Sequence, residues 1–281
     1  MAERPFDSVA VLGLGVMGGS LARALSALDD GPNVAGWSPS VEERAGALDA
    51  GVVSSAPEDW REAASGADLV VVAAPLGATC DLLGQLARET SSQTLFSDVA
   101  SLKAPVARAA ENAGVADRWV GSHPMTGSEE SGFGASRADL YSDARVWTVA
   151  HPAAGFRLSR MHDFWSALGG RPEAIDALEH DHLMALASHL PQLVSNVLAE
   201  VLGEHHVPPE QLGPGGADMT RLAASSASMW RDILEHASPD LIRGLRDLAR
   251  ASTRVAELLE HRDLDGLEAL MNATRRWSHP S

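Results

Sequence analysis

Four groups of residues have the types and spacing to do chemistry. The first is Gly13-Leu14-Gly15-Val16-Met17-Gly18, a GxGxxG turn that follows the apolar run 8–12 and precedes the helical pattern Leu21-Ala22-Arg23-Ala24-Leu25. In that setting each glycine has a task. Gly13 permits the tight turn, Gly15 lets the backbone approach a pyrophosphate, and Gly18 lets helix and strand pack closely while the helix N-terminus faces the phosphates. A dinucleotide is the expected ligand.

The remaining groups are polar where a packing role would call for apolar residues. Ser97-Asp98-Val99-Ala100-Ser101-Leu102-Lys103 follows an apolar run. Ser122-His123-Pro124-Met125-Thr126-Gly127-Ser128-Glu129 follows another. Ser188-His189-Leu190-Pro191-Gln192 is followed at a distance by Asp218-Met219-Thr220-Arg221 and Met229-Trp230-Arg231-Asp232-Ile233. At the second strand, where NAD enzymes place an acid against the ribose 2′-hydroxyl, this chain has Ser38-Pro39-Ser40. Serine hydroxyls with Arg44 nearby suit a 2′-phosphate, while Glu42 and Glu43 weigh against one, so NADP and NAD both stay open. Ala74 and Pro75, at the end of the apolar run 69–74, complete the expected cofactor set.

Elements that must position these residues are visible in the hydrophobic periodicity. Short apolar runs at 8–12, 33–37, 69–74, 94–97, 119–121 and 146–150 alternate with helical segments, which predicts βαβ units around a mainly parallel sheet. Beyond residue 176 the pattern turns to long helices at 178–202, 217–235, 239–260 and 263–273. The fold class is therefore α/β: a Rossmann-type doubly wound domain over 1–176 and an all-α substrate and dimerisation domain over 177–281.

Taken in order, the motifs resemble the prephenate/arogenate (cyclohexadienyl) dehydrogenases, whose pattern runs GLGxxGGS, D-x-x-S-x-K, HP-x-x-G-x-E, SHLPH and D-x-TR-x-A-x-S-x-x-MW-x-DI. The resemblance implies NAD(P)-linked oxidative decarboxylation of prephenate or arogenate in tyrosine biosynthesis. It implies His123 as the group that takes the alcohol proton, a task suited to an imidazole that titrates near neutrality. Ser101 would hold the same hydroxyl or orient the imidazole. Arg221 would bind a substrate carboxylate through its planar fork. Ser128, Glu129, His189 and Gln192 would shape the substrate pocket. Gln192 stands where the family commonly has histidine, which leaves the choice between a keto and an amino side chain open. A homodimer through the helical domain is implied as well.

Two other readings fit parts of the sequence. A β-hydroxyacid dehydrogenase also begins with GLGxMG, but it needs a catalytic lysine in its second domain, and Lys103 is the one lysine of this chain. A non-catalytic NADP(H)-sensing protein would share the fold without needing His123, Ser101 and Arg221 together. Lys103 itself is expected to support the Asp98–Ser101 loop.

Composition narrows the partners. The net charge is -16, from 22 basic and 38 acidic residues, which opposes polynucleotide binding and repels an anionic substrate except where arginines focus. Cys80 is the single cysteine and is assigned to packing. Residues 1–7 lack a basic start with an apolar run, and no apolar stretch reaches the ~20 residues of a membrane helix, so a cytoplasmic protein with no membrane partner is expected. His180, His182, His205, His206, His236 and His261 form no trusted metal-ligand pattern and are expected to face solvent.

Overall fold

A computed structural model describes residues 4–127 and 130–278, without the side chains of Ser228 and Met229. Its strands are β1 (Ser8–Leu12), β2 (Asn33–Trp37), β3 (Leu69–Val72), β4 (Leu95–Asp98), β5 (Val120–Pro124), β6 (Arg145–Ala150) and β7 (Arg171–Ala174). Helices α1 (Val16–Ser26), α2 (Val41–Asp49), α3 (Trp60–Ala64), α4 (Leu76–Glu89), α5 (Ala104–Asn112), α6 (Arg157–Ala167) and α7 (Ala177–Met184) alternate with them. Then come α8 (Leu190–Glu204), α9 (Pro214–Thr220), α10 (Ala227–Glu235), α11 (Pro239–Glu260) and α12 (Leu264–Ser278). The chain divides into two compact units. One holds the residues up to Met184 together with Ala224–His236, and the other holds Ala185–Ala223 and the residues from Ala237 onward.

The first unit is the Rossmann-type α/β fold expected. Four parallel strands run in the order β2-β1-β3-β4. Alternation on β1 shows why they are buried on both faces. Val9 and Val11 pack with Leu21 and Leu25 of α1, whereas Ala10 and Leu12 pack with Leu83 and Leu86 of α4, as a strand of period two requires when helices cover both faces. A bridge from Phe96 to Trp119 leads from β4 to a second sheet, β5-β6-β7. There β6 runs antiparallel to β5 and parallel to β7. The periodicity missed β7, whose Arg171, Glu173 and Ala174 are exposed.

Beyond residue 176 two of the expected helices are broken, whereas α11 keeps the expected span 239–260 and α12 runs past the expected 273 to Ser278. The expected helix 178–202 opens into a π-turn at Ala185–His189 just ahead of Pro191, which lacks the N–H that a regular helix would use. The expected helix 217–235 is cut by a 3-10 turn at Arg221–Ala224, and Ser226 takes extended dihedrals before α10 begins. In the second unit α8, the π-turn and α11 pack together, and Gly244 of α11 lets Leu186 and Leu190 approach. Among the described residues no helix is long and apolar enough to cross a membrane.

The glycine turn shows why its residue types are required. Gly13 has φ +107°, and a Cβ there would strike the Ala73 carbonyl; a Cβ on Gly18 would overlap the Gly13 carbonyl. Backbone on both sides cannot yield as a flexible side chain could. Gly18→Ala is expected to destabilise the first unit by about 1–3 kcal/mol, the usual cost of forcing extra volume into a packed site, and to weaken dinucleotide binding. Urea unfolding and cofactor titration check this, and an unchanged midpoint would contradict it.

Candidate active site

The glycine turn lies at the C-terminal end of β1, between β2 and β3, the switch point where doubly wound sheets bind ligands. Gly13 N–H donates to the Trp37 carbonyl at 2.7 Å, locking the turn to the end of β2. Gly15 caps α1, and the nearest atom to a Cβ built on it is Glu43 Oε1 at 3.6 Å. This open cradle over a helix N-terminus fits a pyrophosphate. Leu14 is buried against Gly36. Val16 and Met17 open α1, with the Met17 carbonyl accepting from Tyr141 Oη at 2.6 Å. Ala74 and exposed Pro75 lead from β3 into α4, their carbonyls accepting from the Thr79 hydroxyl and amide.

The end of β2 is arranged differently from what its sequence suggests. Ser38 is buried, and its hydroxyl donates to Glu43 Oε2 at 2.5 Å. Arg44 is drawn to the Ser38 carbonyl at 2.6 Å. A carboxylate thus stands beside the glycine turn, where the sequence shows serine.

Behind β4 and β5 lies a buried polar cluster. Asp98, last residue of β4, accepts from Lys103 Nζ, from the Ala100 amide at 2.9 Å and from Trp119 Nε1 at 3.1 Å. Lys103 is fully buried and donates also to the Ser122 carbonyl at 2.8 Å. Burial pushes its ammonium below the usual lysine range, and the Asp98 carboxylate opposes that shift. The chain's one lysine therefore pins the loop after β4 to β5. That loop contains Ser101, which is half-buried. Ser122 Oγ meets Ser97 Oγ at 3.1 Å and accepts from Trp165 Nε1 at 2.8 Å, so β5 is held on its buried side.

His123, next on β5, points the opposite way and is half-buried. Its Nδ1 lies 2.8 Å from His180 Nε2, with the rings edge to face. His180 Nδ1 in turn lies 2.8 Å from Asp181 Oδ1. The Asp181 carboxylate also accepts from the Lys103 amide at 2.7 Å and the Ala104 amide at 2.9 Å, capping the start of α5. His180 was expected in solvent, and this is corrected: it is fully buried. Its sequence neighbours gave no sign of a partner 57 residues away.

In the second unit His189 closes the π-turn and is buried. Gln192 is buried one turn on, and its Nε2 donates to Asn196 Oδ1 at 2.9 Å and to the Leu222 carbonyl at 2.7 Å. That second bond brings it to the residue after Arg221, which is exposed at the head of the 3-10 turn. Ser195, on the same helix, is a buried hydroxyl the sequence did not single out; its Oγ has no hydrogen-bond partner among the described residues. Ser128 and Glu129 lie outside the described residues.

Comparison with known proteins fits this arrangement. Residues 21–173 match the nucleotide-binding domain of prephenate dehydrogenase, and residues 176–273 match its dimerization domain. A cyclohexadienyl dehydrogenase of Zymomonas mobilis is 31% identical over 274 residues, which cover 91% of this chain and 92% of that protein. A prephenate dehydrogenase of Bacillus subtilis is 29% identical over 273 residues, covering 93% of this chain and 72% of that protein. The crystal structure of prephenate dehydrogenase from A. aeolicus in complex with hydroxyphenyl propionate and NAD+ superposes with a TM-score of 0.87 at 25% identity, covering 98% of each chain.

The buried ion pair behind β5 makes a direct prediction. Lys103→Met leaves Asp98 charged and buried without its cation, and is expected to cost about 3–5 kcal/mol. Lys103→Met with Asp98→Asn should lose less than Lys103→Met alone. Denaturant titrations of both variants measure this, and equal losses would mean that the pair is not coupled.

Proposed function

The chain belongs to the prephenate dehydrogenase family, and from that premise we propose how its own residues carry out the NAD(P)-dependent oxidative decarboxylation that the family performs. The substrates are prephenate and arogenate, cyclohexadienols that differ in a keto or amino side chain. Gly13, Gly15, Gly18 and the start of α1 hold the dinucleotide, with Ala74 and Pro75 beside them. Bound nicotinamide supplies the hydride acceptor. His123 takes the proton of the ring hydroxyl as the carbinol carbon gives up its hydride and becomes a carbonyl carbon. Loss of carbon dioxide then leaves an aromatic ring, which makes the whole step strongly downhill.

The observation that carries this reading is the setting of His123. Its Nδ1 is engaged by His180, so proton transfer falls to Nε2, at the end of a strand held rigid by Ser122 and Lys103. Ser101, on the loop pinned by Lys103, steadies the same hydroxyl. Arg221 is the carboxylate ligand, a needed positive charge in a protein of net charge -16. His189, Gln192, Ser128 and Glu129 contact the remainder of the substrate. The β-hydroxyacid reading gives way to the family match across both domains.

Two finer points follow. Glu43, rather than Ser38, receives the adenosine ribose: its carboxylate suits a 2′-hydroxyl and repels a 2′-phosphate, so NAD is the preferred cofactor. The protein is a cytoplasmic homodimer joined through its helical domain. Supporting the dimer, Ile242, Leu248 and Leu259 of α11 and Met271 of α12 are exposed apolar side chains, on a segment that matches the family's dimerization domain.

The activity is tested by incubating the protein with prephenate or arogenate, each with NAD or NADP, and following reduced nicotinamide. His123→Asn is expected to lower turnover by about 100-fold or more, the usual contribution of a general base, with the Michaelis constant for NAD unchanged. Near wild-type turnover would remove His123 from the mechanism. Glu43→Gln is expected to shift the NAD-to-NADP ratio of kcat/KM toward NADP by at least about tenfold, or about 1.4 kcal/mol. An unaltered ratio would show that Glu43 does not meet the ribose.

A further inference from the structure

Behind the proposed base stands a chain of three side chains that the family match does not assign: Asp181, His180 and His123. We infer that His180 is a positioning residue that fixes the tautomer of His123 and shares the proton it takes up, with Asp181 setting the polarity of the chain. This rests on His123 being the base.

The direction of the chain follows from its buried end. Asp181 accepts the amide hydrogens of Lys103 and Ala104, and as a carboxylate it can only accept. The remaining bond, to His180 Nδ1, therefore carries its hydrogen on the imidazole. A neutral His180 with its hydrogen on Nδ1 presents a lone pair at Nε2. His123 Nδ1, 2.8 Å away, must then be the donor, and a neutral His123 with its hydrogen on Nδ1 has its basic lone pair at Nε2. The opposite polarity would place the hydrogen of His123 on Nε2 and leave it unable to accept one there. A carboxylate anchored by two backbone amides thus determines, two residues away, which nitrogen of the base is basic.

The same chain serves the next moment of the reaction. When His123 Nε2 takes the hydroxyl proton, the ring becomes an imidazolium whose Nδ1–H already points at His180 Nε2. The positive charge is then spread toward Asp181 through a fully buried ring that needs no solvent reorganisation. The Lys103 ammonium in this cluster is committed to Asp98 and the Ser122 carbonyl. Asp181 is left to compensate the imidazolium.

Two substitutions separate the roles. His180→Gln keeps an acceptor that can reach His123 Nδ1, whereas His180→Leu keeps none. His180→Leu is expected to lower kcat by about 10- to 100-fold, part of the contribution of a general base, with both Michaelis constants within a few-fold of wild type, and His180→Gln is expected to recover much of the loss. Because a buried leucine could also impair folding, nitrogen-15 spectra of the imidazoles in the unaltered protein give a second readout. At alkaline pH both His123 and His180 should appear as the tautomer with hydrogen on Nδ1. The inference is overturned if His123 carries its hydrogen on Nε2, or if His180→Leu turns over at the wild-type rate while His123→Asn does not. Wild-type turnover by His123→Asn would instead remove the base itself, and the relay with it.

Discussion

The Asp181 carboxylate accepts from the amides of Lys103 and Ala104 and from His180 Nδ1, and this junction ties α7 to the loop that follows β4. The loop carries Ser101 and ends in Lys103, which is pinned from its other end to Asp98 and to the backbone of β5. The residues proposed to touch the reacting hydroxyl therefore share one buried framework of charge and backbone amides. Desolvating Lys103, Asp98 and Asp181 is costly, and such groups are tolerated only when each is paired and hydrogen-bonded. Here that condition is met by the geometry that also aims His123.

The cofactor end follows a different logic, one of space rather than charge. Gly13 and Gly18 are required because backbone atoms occupy the places of their missing side chains. Gly15 is different, since the space above it is open apart from the Glu43 carboxylate. Ser38 and Arg44 do not offer themselves to a phosphate, because the hydroxyl is bonded to Glu43 and the guanidinium to a carbonyl. The proposed preference for NAD thus comes from an acid on α2 that folds back to the end of β2.

What was legible in the sequence was local. The glycine turn, the parallel strands and the motif residues could be read because their signals lie within a few neighbouring positions. His180 could not be read that way: Glu179-His180-Asp181-His182 looks like a solvated helix face, and only the fold brings it to a strand 57 residues earlier. Glu43 was legible only as one of two acids weighing against a 2′-phosphate, because nothing local showed that its carboxylate reaches the Ser38 hydroxyl. The edge strand β7, largely exposed and containing Pro172, has no hydrophobic alternation to announce it. The breaks near Pro191 and Ser226 arose where local backbone chemistry overrode a continuous helical pattern. Lys103 is the reverse case, since its rarity in the sequence pointed to the local role that the Asp98 pair gives it.

The central claim is that Asp181 acts on the reaction through His123. A double-mutant cycle tests it most directly, with kcat measured for Asp181→Asn, His123→Asn and the combined variant. If the carboxylate works through the imidazole, Asp181→Asn lowers kcat in the wild-type background and costs nothing further once His123 is gone, because residues that act as a unit are not additive. The same fractional loss in both backgrounds would contradict the account and leave Asp181 as a helix cap alone.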